Sequence, residues 1–366
     1  MGLYHIWDLS TGHSLATIWA FPGMFRDWEI EISMAFSEGE RWLVVTDLTD
    51  METVLVDVKA ERGDQGQRTT IKPTGAPVDC AFSPDSRWLV MASEDTKHVI
   101  QVWDIEKRGD EWTAERFFTA APGPLGETLI HCEEGDQRLG DGGSDSSTEY
   151  ALRTMAFSMA TGLLAVGCSS RSQEDHFQCI YDDNYCMGYR GDDPEPFAVL
   201  VLDIIAGVCV CVLAGHRAPV GRVAFSEDGT RIASIDSCKQ VRIWDAETGN
   251  YVNAFRIESF IYNLEFFPCS SSRLLTENGQ ISFDFYVDAA GLDGDLPLAT
   301  YHGYRITDGW IWNGSERVLR LLVEHVPDRR VRGNLVRPKP DGGSTTVFIT
   351  LPGSEVLWFE LEDYEL

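Results

Sequence analysis

Residues 215–245 read GHRAPVGRVAFSEDGTRIASIDSCKQVRIWD. Three short apolar runs rich in β-branched residues, Val220–Phe225, Arg231–Ser234 and Val241–Trp244, are separated by the turn-formers Glu227-Asp228-Gly229 and Asp236-Ser237. This is the pattern of strands joined by tight turns, because Gly and Asp supply the backbone freedom and local hydrogen bonds that a reversal needs. One such segment fits any meander, so its recurrence along the chain decides the architecture.

It does recur. The end of the first run returns as Met34-Ala35-Phe36-Ser37, Cys80-Ala81-Phe82-Ser83, Met155-Ala156-Phe157-Ser158, Val223-Ala224-Phe225-Ser226 and Leu264-Glu265-Phe266-Phe267-Pro268, each followed by a turn and a second apolar run. Phe36 and Phe82 lie 46 residues apart and Phe225 and Phe266 lie 41 apart, near the period of about 40–45 residues expected of four-stranded repeats. The wider gaps, 75 residues from Phe82 to Phe157 and 68 from Phe157 to Phe225, require insertions. The third run ends on an apolar residue followed by an acid at Trp7-Asp8, Val56-Asp57, Trp103-Asp104, Leu202-Asp203, Trp244-Asp245 and Phe283-Asp284, with Phe359-Glu360 as a degenerate seventh.

A four-stranded antiparallel sheet held between two neighbours is apolar on both faces, so strict alternation gives way to runs such as Trp88–Ala92 and Ala198–Leu202. Arranging such sheets radially buries those faces and leaves only short edges. The expected fold class is therefore all-β, a β-propeller of four-stranded antiparallel blades, seven by the count of strand endings and six as the alternative. Residues 215–245 resemble a WD40 repeat: Gly215-His216 opens it, Ala224-Phe225-Ser226 ends its first strand, and Ile243-Trp244-Asp245 closes its third. The resemblance spans roughly residues 3–290 and is most specific at Lys72–Ile105 and Val208–Gly249.

That resemblance implies a hydrogen-bonded chain of His, Ser or Thr, turn Asp and Trp within a blade. His216, Ser234 and Trp244 match, with Asp245 closing the strand. Counting back from Trp244, the aspartate position falls on Cys238, with Asp236 displaced by two. The repeat ending at Trp103-Asp104 keeps Ser93 and Asp95 but has Pro73 where His would stand, and Trp7 and Asp8 supply only the strand ending of their blade. The network is therefore expected to be incomplete in every blade, and Cys238→Asp to raise the melting temperature.

Residues 1–366 read as one propeller. Met1 stands just before a third-strand pattern, Leu3–Asp8, with a fourth at His13–Trp19. Two arrangements fit. Either these strands complete the last blade together with Val318–Leu322, Val331–Val336, Thr346–Leu351 and Val356–Leu361, or the chain is the C-terminal part of a longer protein. Residues 304–366 then form one or more degenerate blades. Within them, Asp308-Gly309-Trp310-Ile311-Trp312, followed by Arg317-Val318-Leu319-Arg320-Leu321, is similar to the tail of WD40 domains in large fungal NACHT-type receptors.

Composition narrows the partner. The 366 residues carry 30 Lys and Arg against 58 Asp and Glu, a net charge of −28. Phosphate binding rewards clustered basic residues, so no nucleic-acid partner is expected. The N-terminus has no charged-then-apolar leader, and no run of about 18 apolar residues could cross a bilayer. A cytoplasmic protein with no membrane contact is predicted, monomeric unless part of a larger chain. The nine cysteines are then read as reduced thiols, most of them buried; Cys80, Cys168, Cys209, Cys211, Cys238 and Cys269 lie in or beside strand patterns.

The two insertions, residues 120–150 and 171–196, are acidic. Between Ala120 and Leu200 there are 14 acids against 4 Arg. They read as loops, either a solvated face or a docking surface for a basic partner. In the second, His176, Cys179 and Cys186 flank Asp182-Asp183, but only His176 and Cys179 have the two-to-four-residue spacing of zinc ligands, so no metal or other cofactor is expected. No Asp-x-Asp-x-Asp-Gly loop, Gly-x-Ser-x-Gly elbow, phosphate-binding glycine loop or His-Glu-x-x-His pattern occurs. No enzyme is predicted, although a catalytic group assembled from distant loops at the mouth of a propeller is the remaining third class.

The predicted function is a protein-interaction scaffold, with the sensor part of a NACHT-type receptor as the alternative. The resemblance places partner contacts beside the first-strand bulge and before the turn aspartate, which carries over to Pro219 and Gly221, to Phe260 and Tyr262, and to Arg153, Asp79 and Glu94. Aromatic residues dominate interface hot spots, so Phe260 and Tyr262 come first, with burial between blades as their other reading. The one basic cluster runs from Arg317 to Lys339 and includes Arg329 and Arg330, seven basic residues against Glu324 and Asp328. It pairs either with the protein's own acidic segments or with an acidic partner.

Overall fold

The computed structural model describes residues 3–7, 14–19, 32–47, 52–58, 68–71, 73, 76–94, 99–106, 116–122, 128–134, 150–170, 197–258, 261, 263–283, 296–307, 310–321, 335–338, 344–350 and 356–362. These residues form strands and turns with one short 3-10 turn at Glu38–Glu40 and no α-helix.

The strands fall into eight antiparallel sheets, taken here in chain order. The first pairs β1 (Leu3–Trp7) with β2 (Ser14–Trp19). The second contains β3 (Ile32–Phe36), β4 (Trp42–Asp47), β5 (Glu52–Asp57) and β6 (Arg68–Ile71). The third contains β7 (Ala76–Phe82), β8 (Trp88–Glu94), β9 (Val99–Asp104), β10 (Arg116–Pro122) and β11 (Thr128–Glu134). The fourth contains β12 (Tyr150–Phe157), β13 (Leu164–Ser170), β14 (Phe197–Asp203) and β15 (Val208–His216). The fifth contains β16 (Val220–Phe225), β17 (Arg231–Asp236), β18 (Gln240–Asp245) and β19 (Tyr251–Arg256). The sixth contains β20 (Glu265–Phe266), β21 (Arg273–Thr276), β22 (Gly279–Ser282) and β23 (Tyr301–His302). The seventh contains β24 (Tyr304–Thr307), β25 (Trp310–Asn313) and β26 (Glu316–Arg320), and the eighth β27 (Leu335–Pro338), β28 (Ser344–Thr350) and β29 (Val356–Glu362). Within every sheet, strands adjacent in sequence are adjacent in space. The chain divides into two compact units, Met1–Glu174 with Leu200–Val212, and Asp175–Val199 with Leu213–Leu366.

The two-faced burial read from the apolar runs is present. In the first unit, Val44, Leu55 and Ile71 of the second sheet pack with Phe82, Leu89, Met91 and Trp103 of the third. In the second unit, Ala233, Val241, Ile243 and Phe255 of the fifth sheet pack with Phe266, Leu274 and Ile281 of the sixth and with Phe283 beside it. Phe283 stacks on Phe255 with centroids 6.1 Å apart and meets Phe266 edge-on at 6.3 Å. Both of these clusters thus draw on two successive sheets. Replacing a fully buried member such as Leu89 with Ala would cost about 2–5 kcal/mol, since it removes apolar burial and leaves a cavity.

The recurring serine of the Ala-Phe-Ser motif is explained at the turn between first and second strands. Ser226 N–H donates to Arg231 O and Arg231 N–H donates to Ser226 Oγ, both at 2.9 Å. Ser226 Oγ then donates to Asp228 Oδ1 at 2.6 Å, and Asp228 accepts the Thr230 N–H. Gly229 turns the chain with φ 71°, a left-handed conformation that costs a residue without Cβ little. Ser83 with Trp88 and Asp85 repeats the arrangement, Ser37 with Trp42 repeats its reciprocal pair, and Ser158 N–H reaches Leu163 O at 2.8 Å.

Two sequence expectations shift. Thr128–Glu134 lies inside the stretch read as a loop but forms β11, a fifth strand beside β10, because the Thr128-Leu129-Ile130 run has strand character that the neighbouring polar residues obscured. Of the expected strand Val331–Val336, residues 335 and 336 open the strand Leu335–Pro338, and 331–334 lie outside the described residues. Residues 123–127 and 135–149 of the first insertion, and the second insertion with His176, Cys179 and Cys186, lie outside the described residues.

Asp228 and Asp245 have carboxyls held below the usual carboxylate range, the first mainly by the Ser226 hydroxyl and Thr230 N–H, the second mainly by the N–H and hydroxyl of Thr248. A carboxylate with a depressed folded pKa adds stability above its unfolded value of about 4 and loses it as pH falls through the lower folded value. The thermal midpoint is therefore expected to drop on acidification from about pH 4 downward, with a shallower slope in the double variant Asp228→Ala/Asp245→Ala. Equal slopes in a pH series of melting curves would remove these turns as the cause.

Candidate functional site

The best-described repeat unit is the fifth sheet together with His216, the last residue of β15. Ser234 and Asp236 are two residues apart on β17, so their side chains leave the same face of the strand. His216 lies between them: Nδ1 is 3.0 Å from Asp236 Oδ2 and Nε2 is 2.7 Å from Ser234 Oγ. Trp244 Nε1–H donates to the same Ser234 Oγ at 2.8 Å. Asp236 Oδ1 accepts the N–H groups of Cys238 and Gln240, both at 3.0 Å. Because Asp236 can only accept as a carboxylate, Nδ1 carries the histidine proton, Nε2 accepts the Ser234 hydroxyl, and every polar atom of the chain is satisfied.

The expectation of an incomplete network is therefore overturned for this sheet. Asp236, not residue 238, is the turn acid. β17 ends at Asp236 and the chain reverses through Lys239, which has φ 63° and donates its N–H to Asp236 O at 3.0 Å. Cys238 lies in that turn, beyond the end of the strand. Counting back from Trp244 across a turn of assumed length misplaced the acid by two residues. Cys238 is also disulfide-bonded, which corrects its reading as a reduced thiol. Cys80, Cys168, Cys209, Cys211 and Cys269 are not in disulfides. Burial pushes the Cys209 thiol up to about 11.

Asp236, His216 and Ser234 are connected in the order of a nucleophilic triad, yet the arrangement cannot act as one. His216 and Ser234 are 0% exposed and Asp236 is 2% exposed, so no substrate carbonyl can approach the hydroxyl. Ser234 Oγ also accepts the indole N–H of Trp244, which occupies the space beside it. A triad needs an open position at the nucleophile and donors aimed at the developing oxyanion. Here the three groups close a blade.

The acid that ends each third strand has a second task. Asp245 Oδ2 receives Arg231 Nη1 at 2.6 Å, while its Oδ1 accepts the N–H and hydroxyl of Thr248. Asp104 receives Arg87 Nε and Nη2 at 3.1 and 2.8 Å and accepts the Glu106 N–H. Asp57 receives Arg41 at 3.2 Å, and Asp203 accepts the N–H groups of Ile205 and Ala206. The acid thus ties the start of the second strand to the end of the third and caps the turn beyond it. In the third sheet the polar chain takes another form: Ser93 Oγ accepts Gln101 Nε2–H at 3.0 Å, and the buried Trp103 Nε1 has no hydrogen-bond partner among the described residues.

Of the residues expected to meet partners, Arg153 is the bulge residue of β12, between Leu152 and Thr154, and Gly221 holds the matching bulge in β16. A bulge re-aims the side chain it carries, as the resemblance implies for these positions. Asp79 follows the bulge of β7 and uses both carboxylate oxygens within the molecule: Oδ1 accepts its neighbour Cys80 N–H at 2.9 Å, and Oδ2 accepts Met155 N–H of the fourth sheet at 2.8 Å. Asp79 therefore also clamps the third sheet to the fourth. Trp7 ends β1 and Glu94 ends β8. Asp8, Asp95, Phe260, Tyr262, Arg329 and Arg330 lie outside the described residues.

Repeated antiparallel sheets, fastened by a serine-capped first turn and an acid-capped third strand, define a protein of the WD40-repeat class. The family described as "WD domain, G-beta repeat" matches residues 67–104 and 207–245, which contain β6–β9 and β15–β18, so the chain carries WD40 repeats. It is 30% identical over 155 residues to "Probable cytosolic iron-sulfur protein assembly protein 1" of Vanderwaltozyma polyspora, a match covering 41% of each chain. It is 27% identical over 207 residues to "Transcription initiation factor TFIID subunit 5" of Caenorhabditis elegans, covering 54% of this chain and 28% of that protein. It is 28% identical over 99 residues to human "WD repeat-containing protein 36", covering 27% of this chain and 11% of that one. The matches span less than half the length of these relatives. Among the described residues, no helix is long and apolar enough to cross a membrane.

Two outcomes follow from the polar chain. Trp244→Phe removes a hydrogen bond that Trp103→Phe does not, so it should cost about 1 kcal/mol more in denaturant titrations; equal costs would deny the Ser234 bond its role. Asp236→Ala strands His216 and two backbone N–H groups and should cost about 2–4 kcal/mol, while Cys238→Asp should leave the melting temperature unchanged or lower it. The opposite ranking would return the acid to position 238.

Proposed function

We propose that this protein is a non-catalytic protein-interaction scaffold built on a single WD40 β-propeller of seven blades. The observation that supports it is the commitment of the chemically capable residues. The His216–Ser234–Asp236 chain is sealed inside a blade, and the strand-ending acids are bound to arginines and turn N–H groups of their own sheets. What a partner meets is then the outer surface of a rigid frame. Two of the relatives are named as an assembly protein and as a subunit of a transcription factor, which fits a part that works inside complexes. On this reading the protein is a cytoplasmic monomer unless it belongs to a larger chain, and its partners are proteins.

Partner contacts are assigned to the positions beside the first-strand bulges and the turn acids: Phe260 and Tyr262 first, with Arg153 and Glu94, and Arg329 and Arg330 in the basic segment. A second reading is the ligand-recognition part of a NACHT-type receptor, favoured by the similarity of Asp308–Trp312 and Arg317–Leu321 to the tails of such domains. The transcript upstream of Met1 separates the two, since an open frame encoding a P-loop domain supports the receptor. For the scaffold, Phe260→Ala/Tyr262→Ala is expected to abolish capture of native-host partners with the melting temperature kept within a few degrees. Retention of every partner by a folded double variant would exclude this face, and loss of fold would assign the two rings to the space between blades.

A further inference from the structure

The seventh sheet differs from the four-stranded sheets in two ways that bear on one another. The second, fourth, fifth and sixth sheets each have four strands, whereas the seventh has three among the described residues, with β26 at one edge. All five residues of β26, Glu316–Arg320, are exposed, including Val318 at 48% and Leu319 at 45%. Among the described residues, the outer edge of β26 has no partner strand.

The second difference is chemical. β25 and β26 pair as Trp310 with Arg320, Ile311 with Leu319, and Trp312 with Arg317, the register slipping at Val318. In a regular strand, residues 317 and 320 would point to opposite faces; the bulge brings both to the face that carries Trp310 and Trp312. Arg305, opposite Trp312 on β24, lies on the same face. The guanidinium of Arg317 is 5.0 Å from the ring centres of both Trp310 and Trp312, that of Arg320 is 5.7 Å from Trp310, and that of Arg305 is 5.2 Å from Trp312 and 5.8 Å from Tyr301. Cations and rings thus alternate along one face, while Tyr304, Ile306 and Ile311 are buried with Val347 of the eighth sheet.

Stacking holds these side chains in place without neutralising them. Arg41, Arg87 and Arg231 each pair with a strand-ending acid. Arg305, Arg317 and Arg320 pair with no carboxylate among the described residues, although the protein carries 58 acids. Charges and a bulge on an outer strand discourage indiscriminate pairing with apolar or basic edges. They leave one good complement: an extended segment that offers backbone groups to the edge, carboxylates to the guanidiniums and apolar side chains to Val318 and Leu319. A nucleic acid would also bring anions, but only two of these arginines are exposed, on a protein of net charge −28.

We propose that β26 is a docking edge for an extended acidic segment of a partner protein, which adds to the seventh sheet as its fourth strand and sets carboxylates against Arg317 and Arg320. The inference rests on the interaction-scaffold reading and names the partner's chemistry. The probe is a fluorescent synthetic peptide alternating Glu and Val over about ten residues, long enough for an ordinary strand, titrated by anisotropy against the whole chain. Binding should weaken about tenfold or more in Arg317→Glu/Arg320→Glu, weaken with added salt, and largely survive in Arg317→Lys/Arg320→Lys. Methylating the peptide's backbone nitrogens along one edge should abolish binding, and along the other should leave it. Several results would overturn the proposal: no binding, equal binding to the charge-reversed variant, no effect of methylation on either edge, tighter binding of a Lys-Val peptide or of oligothymidylate, or self-association through β26 seen by sedimentation. If native-host partners are still captured when the peptide fails, the scaffold reading stands and only the β26 edge falls; melting curves confirm that each variant is folded.

Discussion

Burial on both faces is the constraint from which the rest of this structure follows. A sheet with one wet face can alternate polar and apolar residues, but strands such as Phe197–Asp203 and Gln240–Asp245 are enclosed along nearly their whole length. Their stability comes from neighbours, as in the clusters that join the second sheet to the third and the fifth to the sixth. A chain built this way has to repeat, because no single sheet can bury both of its own faces.

Enclosure then dictates the polar chemistry. Strand ends and tight turns carry backbone groups that have lost water, and leaving one unpaired costs more than a made bond returns. Ser226, Asp228 and Asp245 meet this cost locally, each accepting N–H groups of the turn it sits in. His216 and Asp236 meet it over a longer range and also fix the position of Trp244 through Ser234. The third sheet, preceded by Pro73 where a histidine would stand, substitutes a glutamine for part of that chain and leaves the Trp103 indole N–H without a partner among the described residues. Packing therefore determines the fold, and the polar chain adds rigidity where it is complete.

The difference in scale between these effects explains what could be read from the sequence. Apolar runs and the Ala-Phe-Ser ending report packing, which imposes a regular period, and the second to sixth sheets follow them closely. Asp236 was missed because its role depends on the length of one turn, which Lys239 closes in a left-handed conformation that no period predicts. The bond from Met155 N–H to Asp79 Oδ2 was missed because it joins residues 76 positions apart, a separation no period encodes. β11 was missed because the glycine- and aspartate-rich residues after it dominate the composition of the segment. In each case the deciding interaction is a single contact, local in space but not periodic in sequence.

The arginines show how one residue type divides between frame and surface. Arg87 has both an acid and a ring: it pairs with Asp104 and lies 4.9 Å from the centre of Trp88, and the Asp104 hydrogen bond, reinforced by the charge of Asp104, raises its already high pKa. Arg41 does the same with Asp57 and Trp42. In these pairs the ring orients the guanidinium and the acid consumes its charge. The seventh sheet keeps the orienting rings, Trp310 and Trp312, but among the described residues supplies no acid to consume the charge of Arg317 and Arg320. A pre-ordered cation loses less entropy on meeting a carboxylate than a free surface side chain does. The same construction that fastens a blade internally thus becomes, when its acid is withheld, a surface prepared for an acid from elsewhere.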